Sequence, residues 1–446
     1  MDTIVALSTA PGRSAIGVVR LSGPCSLEIT RSLVGNEHLD LVPGQVAVCA
    51  LRPVGEGQTL DQAVITFFAA PHSYTGEDVV EISCHGSPVI LRQVIDRALA
   101  FGGRLAEAGE FTLRALGNGK LNLSQAIAVR DLINARSDAA AKQAVRQLNG
   151  ELSSRMQRTK ESIIQAIVIL ESALEFVEDD LPEIEKEGLR NRLRNIADSL
   201  SKLAETFSVG HILRDGLKVT IAGRPNVGKS SLFNYLVRSN RAIVTEHPGT
   251  TRDSLTESIS IEGFPIILTD TAGLRDASDQ IEQLGVERSH QAIADADLIL
   301  MVVDGSQSDH GAGEDLVTPS TRYLLIRNKS DLPSFRDHQG PSNASIDVSA
   351  QTGAGVGKLR AAIIKSFGEF EAADSSLLIT DARQHDLLGR ASVEVQSSVE
   401  ALQQGRSEEL VVIGLKNALE LIGEITGETT TEDILTEIFS TFCIGK

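Results

Sequence analysis

The chain has 446 residues, a length that suggests about three domains. Its 42 lysines and arginines stand against 60 aspartates and glutamates, so the formal net charge is −18. Such an acidic chain excludes a broad basic surface for nucleic acid, and any contact with nucleic acid must be local or supplied by a partner. Aromatic residues make up 4% of the sequence and tryptophan is absent, which argues against a protein that stacks single-stranded bases.

The sequence predicts a cytoplasmic protein without metal clusters. Its longest apolar runs, such as Leu298–Val303, are far shorter than the roughly 20 residues of a membrane-spanning helix. The first residues lack the basic and apolar regions of a signal peptide. Four well-separated cysteines form neither a disulfide framework nor a zinc spacing. They are Cys25, Cys49, Cys84 and Cys443.

Residues 1–118 predict an N-terminal α+β domain, because short β-like runs alternate with turns rich in glycine and proline. The predicted strands are Ile4–Leu7, Ile16–Leu21, Ala63–Phe68 and Val79–Ile82. Residues 119–214 predict the first part of a helical domain. A row of apolar side chains at alternating steps of four and three residues predicts a buried helix face. Its members are Ile163, Ile167, Leu170, Leu174 and Val177.

Residues 215–370 predict an inserted domain with a parallel sheet, because apolar strands alternate with helix-like stretches. Its predicted strands are Val219–Ala222, Ile266–Leu268, Leu298–Val303 and Leu324–Ile326. Residues 371–446 return to helix and complete the helical domain. The sequence therefore predicts a multidomain α/β protein in which the parallel-sheet domain interrupts a helical one.

A phosphate-binding loop is predicted at Gly223–Ser230 (GRPNVGKS), which fits the pattern G-x-x-x-x-G-K-[ST]. A predicted strand precedes it and a predicted helix, Ser231–Arg238, follows it, as the motif requires. The backbone N–H groups of such a loop surround phosphate oxygens at a helix N-terminus. Lys229 would neutralise the β- and γ-phosphates, and Ser230 would bind Mg²⁺. The alternative is an ordinary glycine-rich turn between a strand and a helix.

Further segments downstream favour GTP over ATP. Asp270–Gly273 (DTAG) follows a predicted strand, where an aspartate can hold Mg²⁺ through water and a glycine amide can sense the γ-phosphate. Asn328–Asp331 (NKSD) places a carboxylate that can accept two hydrogen bonds from the guanine edge, which adenine lacks. Ser349–Gln351 (SAQ) can direct a backbone N–H at guanine O6, and Thr250-Thr251 supplies a hydroxyl for Mg²⁺. In this order, these segments resemble the Ras-like GTPase family.

One position departs from the Ras-like pattern. Ras-type proteins carry a water-orienting glutamine where this chain has Leu274, and leucine has no hydrogen-bonding group. Asn226 could offer its side-chain oxygen to a K⁺ ion placed against the phosphates, in the role of an arginine finger. Glu282 is the candidate to orient the attacking water, and the alternative for it is a surface charge on a helix. The residues predicted to contact GTP are Asn226, Val227, Gly228, Lys229, Ser230, Ser231, Thr245, Glu246, His247, Pro248, Gly249, Thr250, Thr251, Asp270, Thr271, Ala272, Gly273, Asn328, Lys329, Asp331, Ser349, Ala350 and Gln351.

The two ends of the chain carry a more specific resemblance. The N-terminal part holds Gly17–Gly23, Ser73–Glu81, His85-Gly86 and Gly109–Thr112, and the chain closes with Phe439–Lys446 (FSTFCIGK). Together with an inserted GTPase domain, these segments closely resemble the MnmE (also called TrmE) family of bacterial tRNA-modification GTPases. The resemblance covers essentially the whole chain.

The resemblance implies an N-terminal domain that binds a tetrahydrofolate, as its 5,10-methylene or 5-formyl derivative, and GTPase domains that meet in a K⁺-dependent homodimer. The implied folate contacts are Arg20, Glu81, Lys120 and Lys446. The implied Mg²⁺ ligands are Ser230 and Thr251, and the implied hydrolytic residue is Glu282. The implied K⁺ contacts are Asn226, Thr245, His247 and Thr250.

The resemblance also implies a partner and a reaction. The partner would be MnmG, an FAD protein, in a heterotetramer that contacts tRNA and no membrane. The complex would install a carboxymethylaminomethyl or aminomethyl group at carbon 5 of the wobble uridine of certain tRNAs, with a folate one-carbon unit. The alternative is a stand-alone GTPase switch in ribosome assembly without base-modification activity. A basic RNA-binding appendage is expected for that alternative, whereas this chain is acidic.

Overall fold

The computed structural model describes residues 2–52, 59–175, 183–240, 256–271, 291–307, 322–335, 345–366, 377–429 and 431–445. The chain is divided into two compact units. The first comprises Met1–Arg130, Gln147–Ile164 and Leu419–Lys446, and the second comprises Asp131–Arg146 and Gln165–Ala418. The domain boundaries predicted above stay a prediction.

Within its described residues, the first unit is built on a six-stranded sheet. The strands are β1 (Ile4–Leu7), β2 (Ile16–Ser22), β3 (Val46–Leu51), β4 (Asp61–Phe68), β5 (Val79–His85) and β6 (Arg104–Leu105). They lie in the order β3-β4-β5-β2-β1-β6. Neighbouring strands are antiparallel, except that β1 and β6 are parallel.

The two faces of this sheet differ because alternate side chains of a strand point to opposite sides. One face packs on helices α1 (Ser26–Val34) and α2 (Pro88–Ala100), and its buried side chains include Val19, Ile65 and Ile82. On the other face, Phe111 of helix α3 (Glu110–Gly117) covers Ile4 and Ala6 of β1. Arg20 and Glu81 are register partners on β2 and β5. Arg20 shares its face with Ala6, its register partner on β1.

The remaining helices of the described ranges are α4 (Leu123–Asn134), α5 (Asp138–Leu148), α6 (Glu151–Glu175), α7 (Glu183–Glu205), α8 (Phe207–Asp215), α9 (Lys229–Asn240), α10 (Val356–Lys365), α11 (Ala382–Gln403), α12 (Glu408–Thr426) and α13 (Glu432–Ser440). In the second unit, α7 packs against α11, and Ser392 Oγ donates a hydrogen bond of 2.9 Å to the Ala197 carbonyl oxygen. A helix that precedes the second sheet therefore pairs with one that follows it.

The second unit contains a six-stranded sheet among the residues that the structure describes. Its strands are β7 (Leu217–Ala222), β8 (Thr256–Ile261), β9 (Phe264–Asp270), β10 (Leu298–Asp304), β11 (Tyr323–Asn328) and β12 (Ser345–Asp347). They lie in the order β12-β11-β10-β7-β9-β8, all parallel except the antiparallel pair β8 and β9. Strand β10 is buried along its whole length, as expected for a central parallel strand covered on both faces.

The predicted elements largely agree with this architecture. The strands predicted in both sheets are confirmed, whereas β3, β6 and β8 were not predicted and β12 was expected only as a short β-like run before Ser349. On the predicted apolar face of α6, Ile163, Ile167 and Leu170 are buried and Leu174 is exposed. Val177 lies outside the described residues. None of the helices in the described ranges has the length and apolar character needed to span a membrane.

Candidate functional site

The loop between β7 and α9 needs glycine at two positions. Gly223 has a φ of +149° and Gly228 a φ of +96°, values that residues with a side chain rarely adopt. A Cβ atom at Gly223 would lie 2.2 Å from the Val302 carbonyl oxygen, and one at Gly228 would lie 2.2 Å from Asn328 Nδ2. The two glycines therefore let the loop approach the ends of β10 and β11 closely.

The same loop presents polar groups at the N-terminus of α9. Asn226 has a φ of +64°, in the left-handed region that asparagine enters more readily than most residues. Lys229 is 7% exposed, and its Nζ donates a hydrogen bond of 2.8 Å to the Arg224 carbonyl oxygen. Ser230 and Ser231 follow in the first turn of α9. An ammonium group folded onto a glycine-rich loop at a helix N-terminus suits the binding of phosphate.

Asn328 joins the phosphate-binding loop to the loop after β12. Its Nδ2 donates a hydrogen bond of 2.9 Å to the Val227 carbonyl oxygen, and its Oδ1 accepts one of 3.0 Å from the Ala350 amide. The side chain is buried, so both bonds are shielded from water. One side chain thus fixes two of the segments that the sequence predicts to contact the nucleotide.

Asp331 and Ser349 form the next contact along this edge of the sheet. Ser349 Oγ donates a hydrogen bond of 2.6 Å to Asp331 Oδ1, which fixes the orientation of the carboxylate. The segment 349–351, which ends at the exposed Gln351, is therefore tied to the 328–331 turn at both Asn328 and Asp331.

The oxygen donors near the loop between β7 and α9 are suitable ligands for Mg²⁺. Asp270 ends β9 and is fully buried, and Thr271 Oγ1 donates a hydrogen bond of 2.9 Å to the carbonyl oxygen of Ile221 at the end of β7. Hydroxyl and carboxylate oxygens, such as those of Ser230 and Asp270, are the donors that Mg²⁺ prefers. Among the residues that the structure describes, no three histidines, cysteines or acidic residues form a metal-binding group.

Part of the predicted site lies outside the described residues. The structure brings together the predicted contacts within 226–231, 270–271, 328–331 and 349–351. The residues outside are Thr245, Glu246, His247, Pro248, Gly249, Thr250, Thr251, Ala272, Gly273, Glu282 and Lys446.

The predicted folate residues Arg20 and Glu81 contact each other in the first unit. Arg20 Nε and Nη2 donate hydrogen bonds of 2.9 and 2.7 Å to Glu81 Oε1. The guanidinium carbon lies 5.7 Å from the ring centroids of Tyr74 and Phe111, within reach of a cation–π attraction. The two charged side chains are 14% and 29% exposed. A ligand of this half-buried pair would compete for the donor fork of Arg20 and the acceptor of Glu81, which here bind each other.

The C-terminal tail lies beside this pair. Arg20 Nη1 and Ser8 Oγ donate hydrogen bonds of 3.4 and 3.3 Å to the Gly445 carbonyl oxygen. Ile444 forms an isolated antiparallel bridge with Ala108. The residue before the predicted contact Lys446 therefore touches Arg20.

Lys120 contacts the same region from another segment. Its Nζ donates a hydrogen bond of 3.0 Å to the Pro71 carbonyl oxygen. A Cβ atom at Gly76 would lie 3.3 Å from Lys120 Cγ. Lys120 therefore packs on the loop that also contains Tyr74, whose ring lies beside Arg20.

Three residues at these sites were not predicted. Tyr74 and Phe111 stand in the N-terminal segments quoted above, but no local signal relates them to Arg20, because the three residues lie far apart in sequence. Asp304 ends the buried strand β10 and forms an ion pair with Lys329. A carboxylate that closes an apolar run was the available signal for it.

Comparison with protein families places the whole chain in one group of proteins. Residues 3–120 match the model described as "GTP-binding protein TrmE N-terminus". Residues 123–443 match the model described as "MnmE helical domain". The second match alone covers more than half of the chain.

Relatives of similar length agree. The "tRNA modification GTPase MnmE" of Koribacter versatilis is 42% identical over 100% of this chain and 99% of its own. The proteins of the same name from Aquifex aeolicus and Geobacter sulfurreducens are 40% and 39% identical, over 100% of this chain and 100% and 99% of theirs. Among solved structures, the G domain of the T. maritima FeoB iron transporter matches 33% of this chain and 97% of its own at 27% identity. Its TM-score is 0.26, too low to support a statement about fold.

Proposed function

The chain belongs to the MnmE family of tRNA modification GTPases and is a GTP-hydrolysing enzyme, and from this membership we propose its reaction, ions and partners. It is a K⁺-dependent GTP hydrolase of the cytoplasm that forms a homodimer and acts with MnmG, an FAD protein, in a heterotetramer. The complex adds a carboxymethylaminomethyl or aminomethyl group at carbon 5 of the wobble uridine of certain tRNAs. A tetrahydrofolate supplies the one-carbon unit.

The observation that supports the nucleotide part best is the double hydrogen bond of Asn328. It ties the loop that would hold the phosphates to the loop that would face the base. In this proposal, Asp331 accepts two hydrogen bonds from the guanine edge. A backbone N–H of the segment 349–351 approaches guanine O6. Lys229 balances the charge of the β- and γ-phosphates, and the amide groups at the start of α9 bind phosphate oxygens.

Hydrolysis transfers the γ-phosphoryl group to water, and it requires charge balance and an oriented water molecule. Ser230 and Thr251 would hold Mg²⁺, which supplies positive charge beside the phosphates when bound. Asn226 and the backbone of Thr245, His247 and Thr250 would hold K⁺, which adds charge where the chain has no arginine finger.

Glu282 would orient the attacking water, because Leu274, at the position of the Ras-type glutamine, has no hydrogen-bonding group. Comparison of GTP turnover in KCl and in NaCl at equal ionic strength tests the proposed role of K⁺. Equal rates in the two salts would contradict that role. Glu282→Ala tests the water-orienting role, since such a group accounts for roughly 10²–10⁴-fold in rate.

The folate part of the proposal uses the pair of Arg20 and Glu81. A folate carries a pterin edge that suits a carboxylate and a glutamate tail that suits cations. Arg20, Lys120 and Lys446 supply the cations and Glu81 the carboxylate. The hydrogen bonds between Arg20, Glu81 and the Gly445 carbonyl oxygen support this use of the region.

Base recognition is tested by Asp331→Asn, which replaces an acceptor by a donor that faces a guanine donor. GTP affinity should fall by roughly a hundredfold, as for a buried unpaired polar group. Xanthosine triphosphate should bind better to the variant than to the parent chain, because xanthine carries an oxygen where guanine carries an amine. Equilibrium titration with GTP and with xanthosine triphosphate measures the two changes in affinity. Unchanged GTP affinity would remove Asp331 from the base site.

The tRNA part of the proposal is tested by analysing wobble uridines in tRNA from cells that lack this protein. The aminomethyl-type modification should be missing and should return when the parent gene is restored. Binding of 5-formyltetrahydrofolate, followed by its absorbance, tests the folate part separately. Normal wobble uridines would favour the stand-alone GTPase switch described above.

A further inference from the structure

Asp304 is a buried carboxylate beside the base-recognition turn. It ends β10, and its register partner is Asn328 at the end of β11. Its Oδ1 accepts hydrogen bonds of 3.0 and 2.6 Å from the amide and the hydroxyl of Ser306. Its Oδ2 accepts hydrogen bonds of 2.6 Å from Lys329 Nζ and 3.3 Å from Gln307 Nε2. The carboxylate is therefore held in one orientation.

Lys329 is held in an uncommon conformation. Its φ is +67°, in the left-handed region that is unfavourable for a residue with a side chain. Its side chain is 32% exposed, whereas that of Asp304 is 7% exposed. The strain at Lys329 is thus offset by an ion pair whose acceptor is buried, where such hydrogen bonds are strong.

Backbone contacts join the two segments as well. The Gly305 amide donates a hydrogen bond of 3.0 Å to the Asn328 carbonyl oxygen. A Cβ atom at Gly305 would lie 2.2 Å from Phe335 Cε2, so the segment after β10 packs tightly on the segment after β11. Asp304 and the turn that contains Asn328 and Asp331 are therefore held together by backbone as well as side-chain contacts.

We infer that Asp304 is a positioning residue for guanine recognition. Its carboxylate fixes Lys329, and through Lys329 it sets the backbone of the 328–331 turn, so that Asn328 and Asp331 face the phosphate-binding loop and the base. Asp304 itself does not touch the nucleotide. The inference rests on the proposed role of Asn328 and Asp331, and it adds a residue outside the known sequence pattern of that turn.

The state of charge agrees with this role. Burial by itself would raise the pKa of Asp304, but the hydrogen bonds from Lys329 and Ser306 outweigh it, and the pKa lies below the ordinary value. Asp304 is therefore ionised at neutral pH.

Asp304→Asn in the full chain tests the inference, because asparagine keeps the shape and loses the charge. GDP affinity should fall roughly tenfold to a hundredfold, the size expected for a lost charge-assisted hydrogen bond. Inosine diphosphate lacks the 2-amino group that Asp331 would read. The preference of the parent chain for GDP over inosine diphosphate should therefore shrink in the variant. Equal losses for both nucleotides, or no loss, would overturn the inference.

Asp347→Asn is the control for the loss of a carboxylate charge at this end of the sheet, with a side chain that is 43% exposed against 7% for Asp304. Asp347 ends β12, beside β11, and lies 3.1 Å from Arg327 in another ion pair at this end of the sheet. This substitution makes the same chemical change away from Lys329, so the preference for GDP over inosine diphosphate should stay as in the parent chain. A loss of preference in this control as large as in Asp304→Asn would also overturn the inference.

Two further variants keep the test decisive. Asp304→Asn combined with Lys329→Met should bind GDP no more weakly than Lys329→Met alone, whereas additive losses would contradict the proposed pathway through Lys329. If Asp304→Asn fails to fold, Ser306→Ala removes only one anchor of the carboxylate. It should reduce the preference in the same direction by a smaller factor, and an unchanged preference would contradict the inference. A parent chain without preference for guanine nucleotides would instead contradict the proposed function.

Discussion

In the sheet of the second unit, the described candidate site residues end or follow the strands β7, β9, β11 and β12. In the antiparallel sheet of the first unit, Arg20 and Glu81 instead face each other in the middle of β2 and β5. Parallel strands bring their ends to one edge, so short motifs at those ends meet there. Antiparallel strands bring together residues whose sequence positions depend on register.

The two sites also differ in what completes them. The nucleotide site is closed by loops that directly follow strands of its own sheet, as the hydrogen bonds of Asn328 illustrate. The Arg20 and Glu81 pair is completed by Gly445, which is 425 residues away from Arg20 in sequence. The described part of the nucleotide site therefore draws on strands of one sheet, whereas the Arg20 and Glu81 pair also depends on the docking of the tail.

The largest effect is expected in the phosphate-binding loop, for Gly228→Ala. The new Cβ would strain a φ of +96° and meet Asn328 Nδ2 at 2.2 Å. Each effect costs roughly 1–3 kcal/mol, so nucleotide affinity should fall by about a hundredfold or more. Gly263→Ala is the control, because Gly263 has a φ of +87° but open space around its Cβ position. Titration with a fluorescent GDP measures both, and equal effects would show that packing on Asn328 is unimportant.

In the antiparallel sheet, Arg20→Ala should weaken binding of 5-formyltetrahydrofolate roughly tenfold to a hundredfold, since it removes charge-assisted hydrogen bonds. GTP hydrolysis should be retained, because Arg20 and the phosphate-binding loop lie in different units. Arg92→Ala is a suitable control, because Arg92 is 83% exposed and pairs only loosely with Asp96, at 3.6 Å. Folate affinity like that of the parent would remove Arg20 from the folate site.

A smaller effect is expected for Gly445→Ala, which tests whether the tail completes the site of Arg20 and Glu81. The new Cβ would lie 2.4 Å from the Leu7 carbonyl oxygen at a residue with a φ of +97°. The tail should detach, and hydrogen exchange around Ala108 and Gly109 should accelerate, because these residues contact Ile444 and the Cys443 carbonyl oxygen. Folate affinity should fall by a smaller factor than in Arg20→Ala.

The control for the tail is Gly119→Ala, which also changes a glycine of positive φ, +68°, but with open space around it. Exchange around Gly109 should stay at the parent rate in this variant. If Gly445→Ala leaves that rate unchanged too, the tail does not depend on the close approach to Leu7.

The smallest effect concerns the buried face of the antiparallel sheet. Burial raises the pKa of Cys84 to about 11, so its thiol stays protonated and unreactive near neutral pH. Alkylation of the folded protein should therefore modify the exposed Cys25 and Cys443 well before Cys84, as read by mass spectrometry. Because the pKa is raised, the neutral thiol makes its full contribution to folding stability at pH values below the ordinary pKa of a cysteine. This contribution declines as pH rises toward about 11. Early modification of Cys84 would contradict its burial.

The sequence was informative where chemistry and fold are both local. The phosphate-binding loop and the strand before it occupy adjacent positions, and β1 was predicted with the bounds that it has. Strand β3 was missed because it lies at the sheet edge, where Val46 and Val48 are exposed and apolar residues do not alternate with polar ones. Strand β8 was missed because it begins with polar residues and is hydrogen-bonded to one neighbour only.

Contacts between distant segments were beyond reach of the sequence pattern. The pairing of Arg20 with Glu81 depends on the register of β2 and β5, and without a family resemblance nothing local marks either residue. The same holds for Asp304, since its contact with Lys329 follows from the parallel register of β10 and β11. A shift of a single residue in either register would point these side chains to the opposite face.

The two hydrogen bonds of Asn328 have a consequence for the kinetics of nucleotide capture. Both partners, the Val227 carbonyl and the Ala350 amide, belong to the protein, so the phosphate and base segments are joined before any ligand arrives. A joined pair of loops loses little conformational entropy on association, and less of the binding energy is consumed in ordering them. Capture of the nucleotide should then be limited by diffusion rather than by assembly of these two loops. Substitutions at this edge of the sheet should therefore change the rate of nucleotide release more than the rate of capture.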